Sequence, residues 1–159
     1  MKRNELGKSL KTVLIIAVLV SLVLLFVVIP LAGKTLSEEN PEFKKIFVPC
    51  LIFVYISAVP VFIAYYKFWV IFSEIARDNS FSDKNAKLLR EISMLAVIDS
   101  VLYFLALILL LIFYVPHTVI IVFVLFVIFV GLILSVLCTA LSHLVKKAAA
   151  LKQENDLTI

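Results

Sequence analysis

Residues 100–145 run for 46 positions without a single Asp, Glu, Lys or Arg. Wound as one α-helix they would reach about 70 Å, more than twice the roughly 30 Å hydrocarbon core of a bilayer. The stretch has to fold back on itself, and Pro116-His117 is the evident turn. It yields a third span near residues 92–115 and a fourth near 118–145. Two earlier uncharged runs give a first span at residues 12–33 and a second beginning at residue 46, which continues past Lys67 to residue 72. Each is long enough for a helix that crosses a membrane. The chain is 64% hydrophobic over 159 residues, whereas a soluble domain is nearer half apolar. The expected fold class is an all-α integral membrane protein: one domain with four transmembrane helices, arranged as two hairpins joined by a cytoplasmic helical connector.

Basic residues orient these spans. Twelve Lys and Arg fall in the N-terminal segment, the 67–90 region and the tail, against three (Lys34, Lys44, Lys45) in the 34–45 loop. Cytoplasmic loops carry the excess of Lys and Arg. Both termini and the connector at residues 73–91 are therefore expected in the cytoplasm, with the protein in a bacterial inner membrane. That arrangement accounts for the net charge of +4 without direct nucleic-acid binding. A cleaved signal peptide competes for the first span, but its apolar run exceeds the usual h-region of roughly 7–15 residues and Pro30-Leu31-Ala32 is a poor cleavage site. Pro30 and Gly33 are expected to end the first helix.

In the second span Pro49 is expected in the first turn, where a missing N–H costs little. Pro60 falls mid-span and should kink the helix, with Ser57 available to the freed Ile56 carbonyl. Tyr65, Tyr66 and Trp69 suit an interfacial aromatic belt. The connector follows, with Ser82 as N-cap and Asp83 in the first turn. Its helix should continue unbroken into the third span. Leu88, Leu89 and Ile92 form a stripe that can lie on the membrane or dock on the bundle. The tail at residues 146–159 continues the fourth helix.

Asp99 and Lys67 each lie seven or eight residues inside a charged boundary. An unpaired charge there is costly, so the two are expected to pair. The pair can hold the hairpins in register or take part in binding or proton movement; Lys67 can instead snorkel unpaired. Gly131, Ser135, Thr139 and His143 recur every four residues, a small-residue stripe of the kind that lets helices approach closely in lipid. Ala96 with Ser100, and Ala17 with Ser21, are matching small pairs. Ordinary packing and a homo-oligomer interface are both open for the stripe. His143 can accept a hydrogen bond or sense pH. Cys50 and Cys138 sit about 30 Å apart along their spans, too far to bridge. No HExxH, nucleophile–base set, P-loop or metal-ligand cluster is present, so neither enzyme activity nor a cofactor is expected.

The run Asn79-Ser80-Phe81-Ser82-Asp83-Lys84-Asn85-Ala86-Lys87-Leu88-Leu89-Arg90-Glu91-Ile92 resembles the Phe-Ser-x-x-Asn…Leu-x-x-Ile signature of small bacterial membrane proteins, the YoaS-like domain of unknown function 2975 family. The ending Leu151-Lys152-Gln153-Glu154-Asn155-Asp156-Leu157-Thr158-Ile159 is similar to that family's. The resemblance implies a bacterial inner-membrane protein, often encoded beside a small helix-turn-helix regulator. Phe81, Ser82, Asn85, Leu88 and Leu89, with Glu154, Asp156, Leu157 and Ile159, are the residues expected to dock such a cytosolic partner. The alternatives are a small transporter or channel component, or self-protection against membrane-active peptides. In the blander reading Phe81 and the leucines dip into lipid headgroups.

Overall fold

The computed structural model describes residues 3–39, 41–113 and 118–157. Helix α1 (Arg3–Val23) passes through one π-helical turn (Leu24–Val28) into α2 (Ile29–Glu39). Then come α3 (Pro41–Ala76), α4 (Asp83–Phe113) and α5 (Thr118–Leu157). Four helices, counting α1–α2 as one, are long and apolar enough to cross a membrane. The Pro116-His117 turn lies outside the described residues.

The elements are longer than the apolar runs that nucleate them. Pro30 and Gly33 do not end the first helix, which runs on to Glu39. The reason precedes the proline: the Ile29 N–H reaches back five residues to the Leu24 carbonyl, and this wider turn helps accommodate a ring that would clash in a regular helix. The expected 34–45 loop shrinks accordingly. Helix α3 begins at Pro41, a first-turn position suited to proline. Pro49 is therefore inside the helix and not in its first turn. It stands near the end of the span, within reach of water for the carbonyl it leaves free. Pro60 also lies within α3. Ser57 does not turn to Ile56: its hydroxyl donates to the Val54 carbonyl at 3.0 Å. Three residues back is the acceptor its side chain reaches.

The substantial contacts join α1 and α2 to α3, α3 to α4, and α4 to α5, the last pair being the most extensive. This is the expected pair of hairpins, meeting at the α3–α4 seam. Every glycine lies where helices come close. A Cβ on Gly7 would stand 2.6 Å from that of Ala76, one on Gly33 would overlap the Phe47 ring, and one on Gly131 would overlap the Ser100 hydroxyl. Small residues at such points let backbones approach closely, which matters in lipid because burial of apolar groups gives no drive between helices.

Much of the remaining surface is apolar and outward-facing, as a lipid-covered protein requires. Tyr66 and Trp69 are exposed near the connector end of α3, and the Lys11 ammonium lies 4.9 Å from the Trp69 ring centroid. Cys50 and Cys138 are free.

Candidate functional site

The connector is a helix–turn–helix and not one helix. Helix α3 ends at Ala76 and α4 starts at Asp83. Asp78 takes the left-handed conformation, φ 61°, which Asp tolerates better than most residues. The Asn79 N–H then returns to the Glu74 carbonyl at 2.9 Å, closing the helix end with a hydrogen-bonded turn. Ser82 caps α4 as expected, its Oγ accepting from the Asn85 N–H at 3.2 Å. Glu74 binds both sides of the turn: Asn79 Nδ2 and Lys84 Nζ each donate to its carboxylate at 2.9 Å. The Lys84 hydrogen bond, then that of Asn79, holds the Glu74 carboxyl below the usual carboxylate range.

Asn85 locks the turn from beneath. Its side chain is buried, and Nδ2 donates to the carbonyls of Asn79 and Ser80, each at 3.0 Å. Leu89 is buried with Ile71, Ile92 and Cys138, and Leu88 packs against that cluster. The expectation that Asn85, Leu88 and Leu89 offer a docking surface is therefore corrected. They face inward because α4 needs an apolar side toward both α3 and α5. Phe81, 55% exposed, is the large apolar side chain that the turn presents, and Ser82 is half-buried.

Lys67 does not pair with Asp99. Its Nζ donates to Glu91 at 2.6 Å. Depths counted from Glu74 on one helix and from Glu91 on the other are not on one scale, because Glu91 stands level with Lys67, whose four-carbon stem reaches it across the seam. Asp99 lies eight residues, about 12 Å, farther along α4. Its Oδ1 is shut away from solvent with no hydrogen-bond partner among the described residues.

The small-residue stripe is half right. Gly131 meets Ser100 and Ala96, and Ser93 Oγ bonds Ser135 Oγ at 2.9 Å and Thr139 Oγ1 at 2.7 Å. His143 is exposed. A four-residue repeat advances about 40° per step, so His143 has rotated about 120° away from Gly131. The true seam alternates steps of four and three: Gly131, Ser135, Cys138, Ser142, Val145 and Ala149. Opposite it Ala86, Ser93, Ser100 and Leu107 recur every seven residues, all buried. The sequence signal of this antiparallel heptad pairing is the seven-residue recurrence itself, which a strict four-residue repeat overlooks. Ser142 Oγ donates to the Ala86 carbonyl at 2.6 Å. Extending that register puts Ala149, 2% exposed, level with the Asn79 turn.

Of the tail residues, Glu154 is exposed, Asp156 and Leu157 occupy the last turn of α5, and Ile159 lies outside the described residues. Leu151 is 54% exposed.

Comparison with known proteins places this geometry. The pattern of the family described as "Protein of unknown function (DUF2975)" matches residues 31–159. The chain belongs to the DUF2975 family. The match takes in α3, the turn, α4, α5 and most of α2. A curated relative, the uncharacterized membrane protein YoaS of Bacillus subtilis (strain 168), is 28% identical over 155 residues, covering 94% of this chain and 95% of that one. No solved structure matches the chain. This DUF2975 protein is thus a multi-pass membrane protein.

Proposed function

We propose that this DUF2975 protein is a non-enzymatic regulatory or sensory partner in the bacterial cytoplasmic membrane. Both termini and the turn between α3 and α4 face the cytoplasm, where they dock a small protein of the helix-turn-helix regulator kind. The observation that carries the reading is the fixed turn beside a continuous α5. Residues 77–82 are held by Glu74, Ser82 and Asn85, and Ala149 is covered at the same level. Phe81 on this ordered turn and Leu151 on α5 are both exposed, and a pre-ordered surface loses less entropy on binding than a loose loop. Exposed apolar residues beside cationic ones also suit a headgroup layer, so the test separates the two.

A photo-crosslinking residue replaces Phe81 or, separately, Leu151, with the neighbouring regulator co-expressed. Cysteines at Ser37 and Ser82 check the orientation. The expected result is crosslinking to the regulator from both sites, loss of capture in Phe81→Ala, and labelling from outside at Ser37 only. Crosslinks to lipid alone, or capture unchanged in Phe81→Ala and in a chain lacking residues 154–159, would overturn the docking. Labelling at Ser82 and not at Ser37 would reverse the orientation.

A further inference from the structure

Asp99 is an acid that the helix contacts leave without a cation. The α3–α4 seam is pinned at two levels, by the Ser57–Tyr103 hydroxyl pair at 2.9 Å and by Lys67–Glu91 at 2.6 Å. Interpolating between them sets Asp99 about level with Pro60, near mid-span. The neighbouring polar groups are already committed. Ser100 Oγ donates to the Ala96 carbonyl at 2.8 Å. Ser57 gives its hydrogen to Val54, so the Tyr103 hydroxyl donates to Ser57.

Among the described residues, the titratable groups on the facing elements offer no positive charge. On α3, Lys67 is taken by Glu91, Tyr65 is bonded to Ser21 and Tyr55 stacks on Phe26, both toward the first helix. Tyr66 points outward, and Cys50 lies nearer the opposite end of the span. On α5, Cys138 is packed in the cluster with Ile92 and His143 is exposed. On α4 itself, Tyr103 is committed and Glu91 is an anion. A carboxylate at this depth would have neither counter-ion nor enough donors, the costliest state available to it. A carboxylic acid carries no net charge and supplies a donor of its own. Pro60, across the seam, has no N–H for the carbonyl four residues back, so an acceptor is in excess at that level.

We infer that Asp99 is a proton-binding site inside the membrane, a carboxylic acid lodged at the seam between the two hairpins. Its ligand is a single proton. Losing that proton places a bare anion among committed groups, so release is tied to parting α3 from α4 and admitting water or a cation. This reading is independent of any docking at the turn.

The test uses the full chain in lipid bilayers, grown with carboxyl-labelled aspartate, and reads the carboxyl carbons by solid-state NMR at neutral pH. The chain has four aspartates, Asp78, Asp83, Asp99 and Asp156. The expected spectrum has one carbon at the protonated position, lost in Asp99→Asn. That variant resembles the neutral acid in size and should remain folded. If all four carbons of the parent sit at the carboxylate position, the proposal is overturned. Infrared spectra give a second reading: Asp99→Asn should remove a carboxylic C=O band, and removal of a carboxylate band instead would refute it.

Discussion

Replacing Gly131 by alanine tests the seam between α4 and α5 most directly, because the structure predicts opposite signs in two backgrounds. In the parent, the added methyl would overlap the Ser100 hydroxyl. That hydroxyl must leave its hydrogen bond to the Ala96 carbonyl, at a cost of about 1 kcal/mol, and the rotated or shifted side chain adds about 0.5–1.5 kcal/mol. Against this, alanine is better than glycine in a helix by up to about 1 kcal/mol. With that gain in full, the single change should still destabilise by about 0.5–1.5 kcal/mol. With Ser100→Ala already in place, the nearest neighbours of the new methyl are the Ala96 carbonyl oxygen at 3.5 Å and the residue-100 Cβ at 3.7 Å. Both are ordinary contacts, so Gly131→Ala should then stabilise by up to about 1 kcal/mol. The coupling between the two positions should be about 1.5–2.5 kcal/mol, inside the range found for residues in contact. Reversible unfolding in mixed micelles, followed by Trp69 fluorescence and helicity, measures all four corners of the cycle. Effects that add to within about 0.5 kcal/mol would refute the close approach, and with it the heptad pairing.

Three further outcomes follow from the other contacts. Lys67→Met and Glu91→Gln should be non-additive by about 1 kcal/mol or less, since both groups are partly exposed, whereas Lys67→Met and Asp99→Asn should add within about 0.5 kcal/mol; the same unfolding assay reads both cycles. Asn85→Ala removes two hydrogen bonds beneath the turn and should cost about 1–3 kcal/mol, with faster amide exchange at residues 77–82 as the local signature. The Glu74 carboxyl is held below its ordinary value of 4.5, so its contribution is complete above that value and is lost as pH falls through the lowered one. Acidification through that window should raise exchange in the turn of the parent and leave Glu74→Gln, already weakened, unchanged.

The four helices were legible because uncharged runs of more than twenty residues leave the chain few other ways to satisfy its backbone in lipid. The continuation of α4 out of the turn and of α5 into the tail was legible too, since no proline or glycine interrupts either. What a count along one helix cannot supply is how that helix is set against its neighbour. Lys67 and Asp99 are almost equally far from the last charge on their own helices, yet Glu91 stands level with Lys67 and Asp99 lies about 12 Å deeper; His143 shares a spacing with Gly131 yet faces away. Leu88 and Leu89 sit in a polar stretch, which reads as surface. They are inside because α4 touches two neighbours and needs a wider apolar side than a surface helix. The break at residues 77–82 carries no glycine or proline. Its signal is the cluster Asp78-Asn79-Ser80, side chains that compete for backbone hydrogen bonds and tolerate left-handed geometry.

The π-helical turn at Leu24–Val28 also sets the phase of everything before it. Gly7 and Gly33 both rest on α3, yet the 26 positions between them would leave them about 80° apart around an unbroken α-helix. A π turn takes up one extra residue, and the remaining 25 steps bring the two glycines to within about 20° of each other. The chain therefore carries one residue of slack, stored at a known place. Deleting a single residue inside 24–28 should straighten the turn and keep both glycines in line, at the cost of returning Pro30 to a regular helix. The same deletion at residues 10–20 would swing Gly7 about 100° out of line and turn a bulkier side chain onto Ala76. In this first span, where a residue is lost matters more than which residue it is.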